Sequence, residues 1–150
     1  MPEARASRTI VIERPIAEVF AFMTDYRNNP RWQEGLVRVE QADVPPRVGS
    51  SITTTRTVMG RTNTTEIRVT TYEENRRFRS NSASGKRGPV QHEGGYDFEP
   101  AGESATRVIY EGSITTGRLL GPVGRLLAKG FQKQMNSSLE RLKTLLETTP

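Results

Sequence analysis

The apolar positions along the chain change their period three times. In SRTIVIER, Ser7 to Arg14, β-branched residues predominate and the run stops at Pro15, which predicts a first strand. Directly after it, Ile16, Val19, Phe20 and Met23 recur at i, i+3, i+4 and i+7 of PIAEVFAFM. That is the spacing of an amphipathic helix, with Pro15 suited to its first turn. Asp25 to Asn29 ends it. Asn29 and Pro30 then read as N-cap and first helical residue, and Gly35 as the residue past the C-terminus, so PRWQE predicts a second helix of about one turn. Trp32, the only tryptophan in the chain, sits on this helix–helix corner.

From Leu36 onward the pattern changes to short stretches rich in Val, Ile, Thr, Tyr and Phe, separated by VPPRVG, MGR, EEN, SGKRGP and EPAGES. They predict strands near 36–43, 50–59, 62–73, 76–83, 90–99 and 105–115. Turns this short imply an antiparallel meander, because parallel neighbours need crossovers of about a dozen residues or more. The period changes again at Arg118. From there to Glu147, Leu119, Leu120, Val123, Leu126, Leu127, Phe131, Met135, Leu139, Leu142, Leu145 and Leu146 form one stripe at spacings of three and four. At about 1.5 Å per residue such a helix outruns any of the strands, so it must cross several of them to bury its stripe. Gly121-Pro122 is expected to delay or kink its start, and Gly130 to mark a bend or close packing. The expected class is α+β: two short helices after the first strand, then a curved antiparallel sheet, seven-stranded in all, wrapped around one long C-terminal helix.

Composition narrows the function classes. The 150 residues suit a single domain spanning 1–150. There is no cysteine, which removes disulfides, thiol catalysis and thiolate metal sites, and His92 is the only histidine. No metal centre and no cofactor are expected. MPEARASRTIVIERP has no apolar run of signal-peptide length, and no segment approaches a membrane span, so a soluble chain is expected, by default in a reducing cytoplasm. The net charge of +5 raises the question of nucleic acid. Arg31, Arg38, Arg47, Arg56, Arg61, Arg68, Arg76, Arg77, Arg79, Lys86 and Arg87 are scattered among acids, however, which predicts a solvated surface. A G-x-S-x-G elbow, a P-loop and a G-x-G-x-x-G turn are all absent from the sequence.

Strand alternation sorts the remaining polar residues. In VQHEGGYDFE, Val90, His92, Gly94, Tyr96 and Phe98 share one face; in TRVIYEGSI, Val108, Tyr110, Gly112 and Ile114 do the same. Phe78, Ser80 and Ser82 give a third strand of that parity. These faces predict a wall carrying His92, Tyr96 and Tyr110, opposite a row of solvent-facing charges. An imidazole and two phenols there are candidate general acid–base groups. The plainer reading is a hydrogen-bonded core histidine and volume-filling tyrosines. Glu66 and Arg68 fall outside on simple alternation, which a bulge would reverse.

TIVIERPIAEVFAFMTDYRNNPRWQEG, TYEENRRF, GGYDFEPAGESATRVIYEG and GPVGRLLAKGFQKQMNSSLERLKTLLE together resemble the polyketide cyclase/dehydrase-like branch of the START-like (SRPBCC) superfamily. The resemblance runs through nearly the whole chain in order. It implies a helix-grip (START/Bet v 1-like) fold with an internal cavity, whose members bind lipids, sterols or aromatic polyketides, or cyclise and dehydrate such compounds. In that layout Trp32 plugs the gap between helices and sheet or forms part of a ligand wall, and is substantially buried either way. The expected ligand-binding set is Trp32, Phe78, His92, Tyr96, Phe98, Tyr110, Gly112, Phe131 and Met135, with His92, Tyr96 and Tyr110 the catalytic candidates. Binding of a hydrophobic or aromatic small molecule is the leading expectation. A cyclase or dehydratase using the same cavity is the alternative, and a module acting on a protein partner the third. An almost wholly apolar lining favours binding; polar groups converging on one point favour catalysis.

Overall fold

A computed structural model describes residues 3–58, 60–82, 90–116 and 121–148. Strand β1 (Glu3–Ile12) leads into helix α1 (Ile16–Thr24) and a 3-10 helix (Tyr26–Arg31). Strands β2 (Leu36–Gln41), β3 (Ser51–Val58), β4 (Arg61–Glu73), β5 (Arg77–Ser82), β6 (Val90–Pro100) and β7 (Thr106–Thr116) follow, and helix α2 (Gly121–Thr148) closes the chain. The strands form one seven-stranded antiparallel sheet in the order β1-β7-β6-β5-β4-β3-β2. This is the helix-grip fold. The expected SGKRGP turn, Met59 of MGR and Arg118–Leu120 of the stripe lie outside the described residues, as do the side chains of Val90, Val123 and Leu127.

β1 begins four residues before the predicted Ser7. Its register with β7 runs from Glu3↔Thr115 to Ile12↔Thr106, so the partner strand, not the propensity of EARA, sets where it starts. The second short helix also differs from its prediction. It begins at Tyr26, keeps Pro30 inside and ends before Trp32. Asp25, not Asn29, is its cap, the carboxylate accepting the Arg27 N–H at 3.1 Å. A 3-10 helix has about three residues per turn, which stacks positions 26, 29 and 32 on one face. Tyr26, Asn29 and Trp32 are all buried. Gly35 turns the chain with φ +83°, and a Cβ there would lie 2.9 Å from the Thr57 carbonyl oxygen.

The outer face of the sheet is charged, as alternation requires. Asp97 binds both Arg77 (3.0 Å) and Arg79 (2.8 Å), and Arg107 binds Glu99 (3.1 Å). Glu66 and Arg68 are exposed; β4 bulges only later, between Val69 and Thr71. The inner face carries the core, with Ile12, Val19, Met23, Val108, Leu139 and Leu142 fully or almost fully shielded. α2 lies along edge strand β1 and is tied to it by polar bonds. Arg8 donates to the Asn136 carbonyl (2.9 Å) and pairs with Glu140 (2.8 Å), while Lys143 donates to the Val11 carbonyl (2.7 Å). Among the described residues, no helix is long and apolar enough to cross a membrane.

Candidate functional site

The first half of α2 stands away from the sheet and leaves a cavity of about 690 Å³ between them. The register of β6 on β7 builds one wall, pairing His92 with Ile114, Gly94 with Gly112 and Tyr96 with Tyr110. Two glycines face each other in the middle of it. Gly112 thins the wall where α2 passes, since a Cβ there would meet Phe131 Cζ at 2.9 Å, whereas one on Gly94 would meet the Glu111 carbonyl oxygen of β7 at 2.5 Å. Phe131 and Met135 reach down from the helix, and Leu126 lies further along it.

Tyr96 is the centre of an aromatic cluster. Its ring meets Tyr110 edge-on at 4.9 Å between centroids, stacks on Phe78 at 6.2 Å and touches Phe98 at 6.0 Å and Trp32 at 6.4 Å. Six residues of the expected set, His92, Tyr96, Tyr110, Gly112, Phe131 and Met135, line the cavity. Trp32, Phe78 and Phe98 stand behind that lining, packed in the core. Trp32 is wholly buried because it is the last of the three residues on the inward face of the corner.

Other lining residues went unnoticed in the sequence. Arg56, read as part of a solvated surface, points into the cavity. Its Nη2 donates to Gln33 Oε1 at 2.8 Å and its Nη1 to the Glu34 carbonyl at 3.1 Å. The chain after the 3-10 helix thereby fixes the guanidinium on the inner face of β3. The signal was present, since Ile52, Thr54 and Arg56 share a face and Ile52 is completely buried. Tyr26 falls in the segment expected to end the first helix and Asn29 is expected as the cap of the second, and only the three-residue period of the corner brings them inward.

The electrostatics of these groups are coupled. Burial pushes the Tyr26 phenol up to about 12, its hydroxyl interacting with Ser80 and Tyr96. Burial also raises Tyr96 well above the ordinary tyrosine value, and raises Tyr110. All three phenols therefore stay protonated near neutral pH, the Tyr96 hydroxyl donating to Tyr26. The His92 imidazole is shifted down, by desolvation first and then by the Arg56 charge, so near neutral pH it is uncharged. Arg56 acts electrostatically on His92 and on all three phenols. The ring of His92 opens toward the cavity, while its backbone N–H donates to Ser82 Oγ at 2.9 Å. Among the described residues, no group of His, Asp and Glu is placed to hold a metal ion.

A family model described as polyketide cyclase / dehydrase and lipid transport matches residues 3–147. The chain belongs to that family. No curated protein matches its sequence. Solved structures share the fold of this family member at low identity. TTHA0849 from Thermus thermophilus is 22% identical with a TM-score of 0.75, over 99% of this chain and 100% of that one. A START superfamily protein from Mycobacterium smegmatis is 16% identical with a TM-score of 0.70, covering 96% and 94%. The Zhui aromatase/cyclase from Streptomyces sp. R1128 is 16% identical with a TM-score of 0.64, covering 95% and 87%.

Proposed function

We propose that the protein binds a hydrophobic or aromatic small molecule in the cavity between its sheet and α2. The observation that carries this reading is the cavity itself: about 690 Å³, with a mainly apolar surface that includes Phe131, Met135 and Ile114, interspersed with polar side chains such as Arg56, Gln33, Asn63 and His92. Small-molecule sites have this size and this mixture of surfaces. Family membership and the shared fold support a ligand-binding or polyketide cyclase-like role. Native mass spectrometry of freshly purified protein tests the reading. A co-purified small molecule, released on denaturation, is the expected result. An unliganded mass together with no saturable uptake of apolar dyes would remove it.

One observation favours cyclase or dehydratase chemistry as a second reading. Arg56, His92, Tyr26, Tyr96 and Tyr110 all line the one cavity, bringing a fixed cation, an uncharged imidazole and protonated phenols together. A neutral imidazole can accept a proton from an acidic carbon, and a phenol or guanidinium can steady the oxygen where negative charge develops. Turnover of an aromatic polyketide, lost in His92→Ala and Tyr110→Phe with ligand affinity retained, would promote this reading over simple binding.

A further inference from the structure

Asn29 takes no part in the functions described so far, yet it is one of the residues bordering the cavity, and its side chain is wholly buried. Neither its amide oxygen nor its amide nitrogen has a hydrogen-bond partner among the described residues. Buried polar atoms in that condition are rare in folded proteins. The backbone of Asn29 already does the structural work of the corner, its carbonyl accepting the N–H of Trp32 at 3.0 Å and of Gln33 at 2.8 Å. The side chain is left over. One turn along the same face, Trp32 Nε1–H is likewise without a partner among the described residues.

A carboxamide offers two N–H donors and an acceptor oxygen, and it offers both kinds of group whichever way it is flipped. A ketone or a carboxylate brings acceptors alone and leaves the Asn29 oxygen unanswered. A hydroxyl brings one donor and two lone pairs, and so meets both halves of the amide. Phe131, Met135 and Ile114 line the same cavity and suit an apolar skeleton. We infer that Asn29 is a polar subsite reading an un-ionised hydroxyl, phenolic or alcoholic, on the apolar ligand. This inference rests on the cavity being a ligand site and adds a chemical feature to what it holds.

Pyrene and 1-hydroxypyrene differ by one hydroxyl, and both report binding by fluorescence. The wild-type chain should bind both saturably, 1-hydroxypyrene about fivefold to tenfold more tightly, the worth of about one hydrogen bond. Asn29→Leu, similar in size and without polar atoms, should bring the two affinities to within about twofold while keeping that for pyrene. Asn29→Ala serves as a second variant with the same expectation. Equal affinities in the wild type, as an internal water alone on Asn29 would give, overturn the inference while pyrene binding leaves the cavity reading standing. A preference that survives in folded Asn29→Leu or Asn29→Ala also overturns it, because another group then reads the hydroxyl. If neither compound binds the wild type saturably, the cavity reading falls and the Asn29 subsite with it.

Discussion

The two halves of α2 do different jobs. From Met135 onward the helix buries Met135, Leu139, Leu142 and Leu146 against β1 and the inner sheet, and Arg8 and Lys143 fasten it there. Before Met135, Arg125, Leu126, Lys129 and Gly130 are exposed, Leu126 by 73%, and Phe131 is only half-buried over the cavity. The same leucine stripe thus supplies a core at one end and a roof at the other. Stability and ligand space divide along the helix, with Met135 at the junction serving both, so substitutions well to either side of it move one more than the other.

Removing the packed half has the largest expected effect. A chain ending at Lys129 loses all four buried stripe residues, each worth about 1.5–3 kcal/mol, which together approach the roughly 5–15 kcal/mol stability of a whole domain. It should show no cooperative melt; a near-native melt would reduce the second half of α2 to an appendage. Point substitutions sharpen the contrast. Leu139→Ala and Leu142→Ala should each cost about 2–5 kcal/mol in denaturant unfolding, whereas Leu126→Ala should stay within about 0.5 kcal/mol. Equal losses at the two ends would erase the distinction.

The smallest expected effect belongs to the open end and follows from His92. Its pKa in the folded chain lies below the ordinary value, so the unfolded chain takes up the proton first as pH falls. Its contribution to stability is present above about 6.5, the unfolded value, and is lost as pH drops below that. The loss is small because the ring opens toward the cavity. Thermal melts between about pH 5 and 8 should show a shallower slope for His92→Gln than for the wild type. A steeper slope in the variant would reverse the sign.

Much of this was legible in the sequence, and the gaps have physical causes. Period-two alternation put His92, Tyr96, Tyr110 and Gly112 on the inner face correctly, because β6 and β7 pair without a register shift. The leucine stripe marked α2 but not its division into core and roof, since the same spacing serves a packed face and a spanning one. Trp32, Phe78 and Phe98 are inward like the lining residues, and parity cannot say which inward side chain is covered by a second layer. Arg56 was lost for the opposite reason: a cation was assigned to solvent although its strand placed it on the same face as Ile52. Asn29 was hidden in a segment read by helix-breaking chemistry, where the 3-10 period has no hydrophobic repeat to announce it.

The space between α2 and the sheet is tested most directly by filling it. A phenylalanine at position 112 would project at Phe131 Cζ (2.9 Å) and Met135 Cε (3.7 Å), the far ends of flexible side chains that can give way. Gly112→Phe should therefore melt cooperatively yet occupy the cavity. Titrated with pyrene, the wild type should saturate, and folded Gly112→Phe should bind at least about tenfold more weakly. No saturable binding to the wild type, or affinity unchanged in folded Gly112→Phe, would contradict a ligand site between helix and sheet.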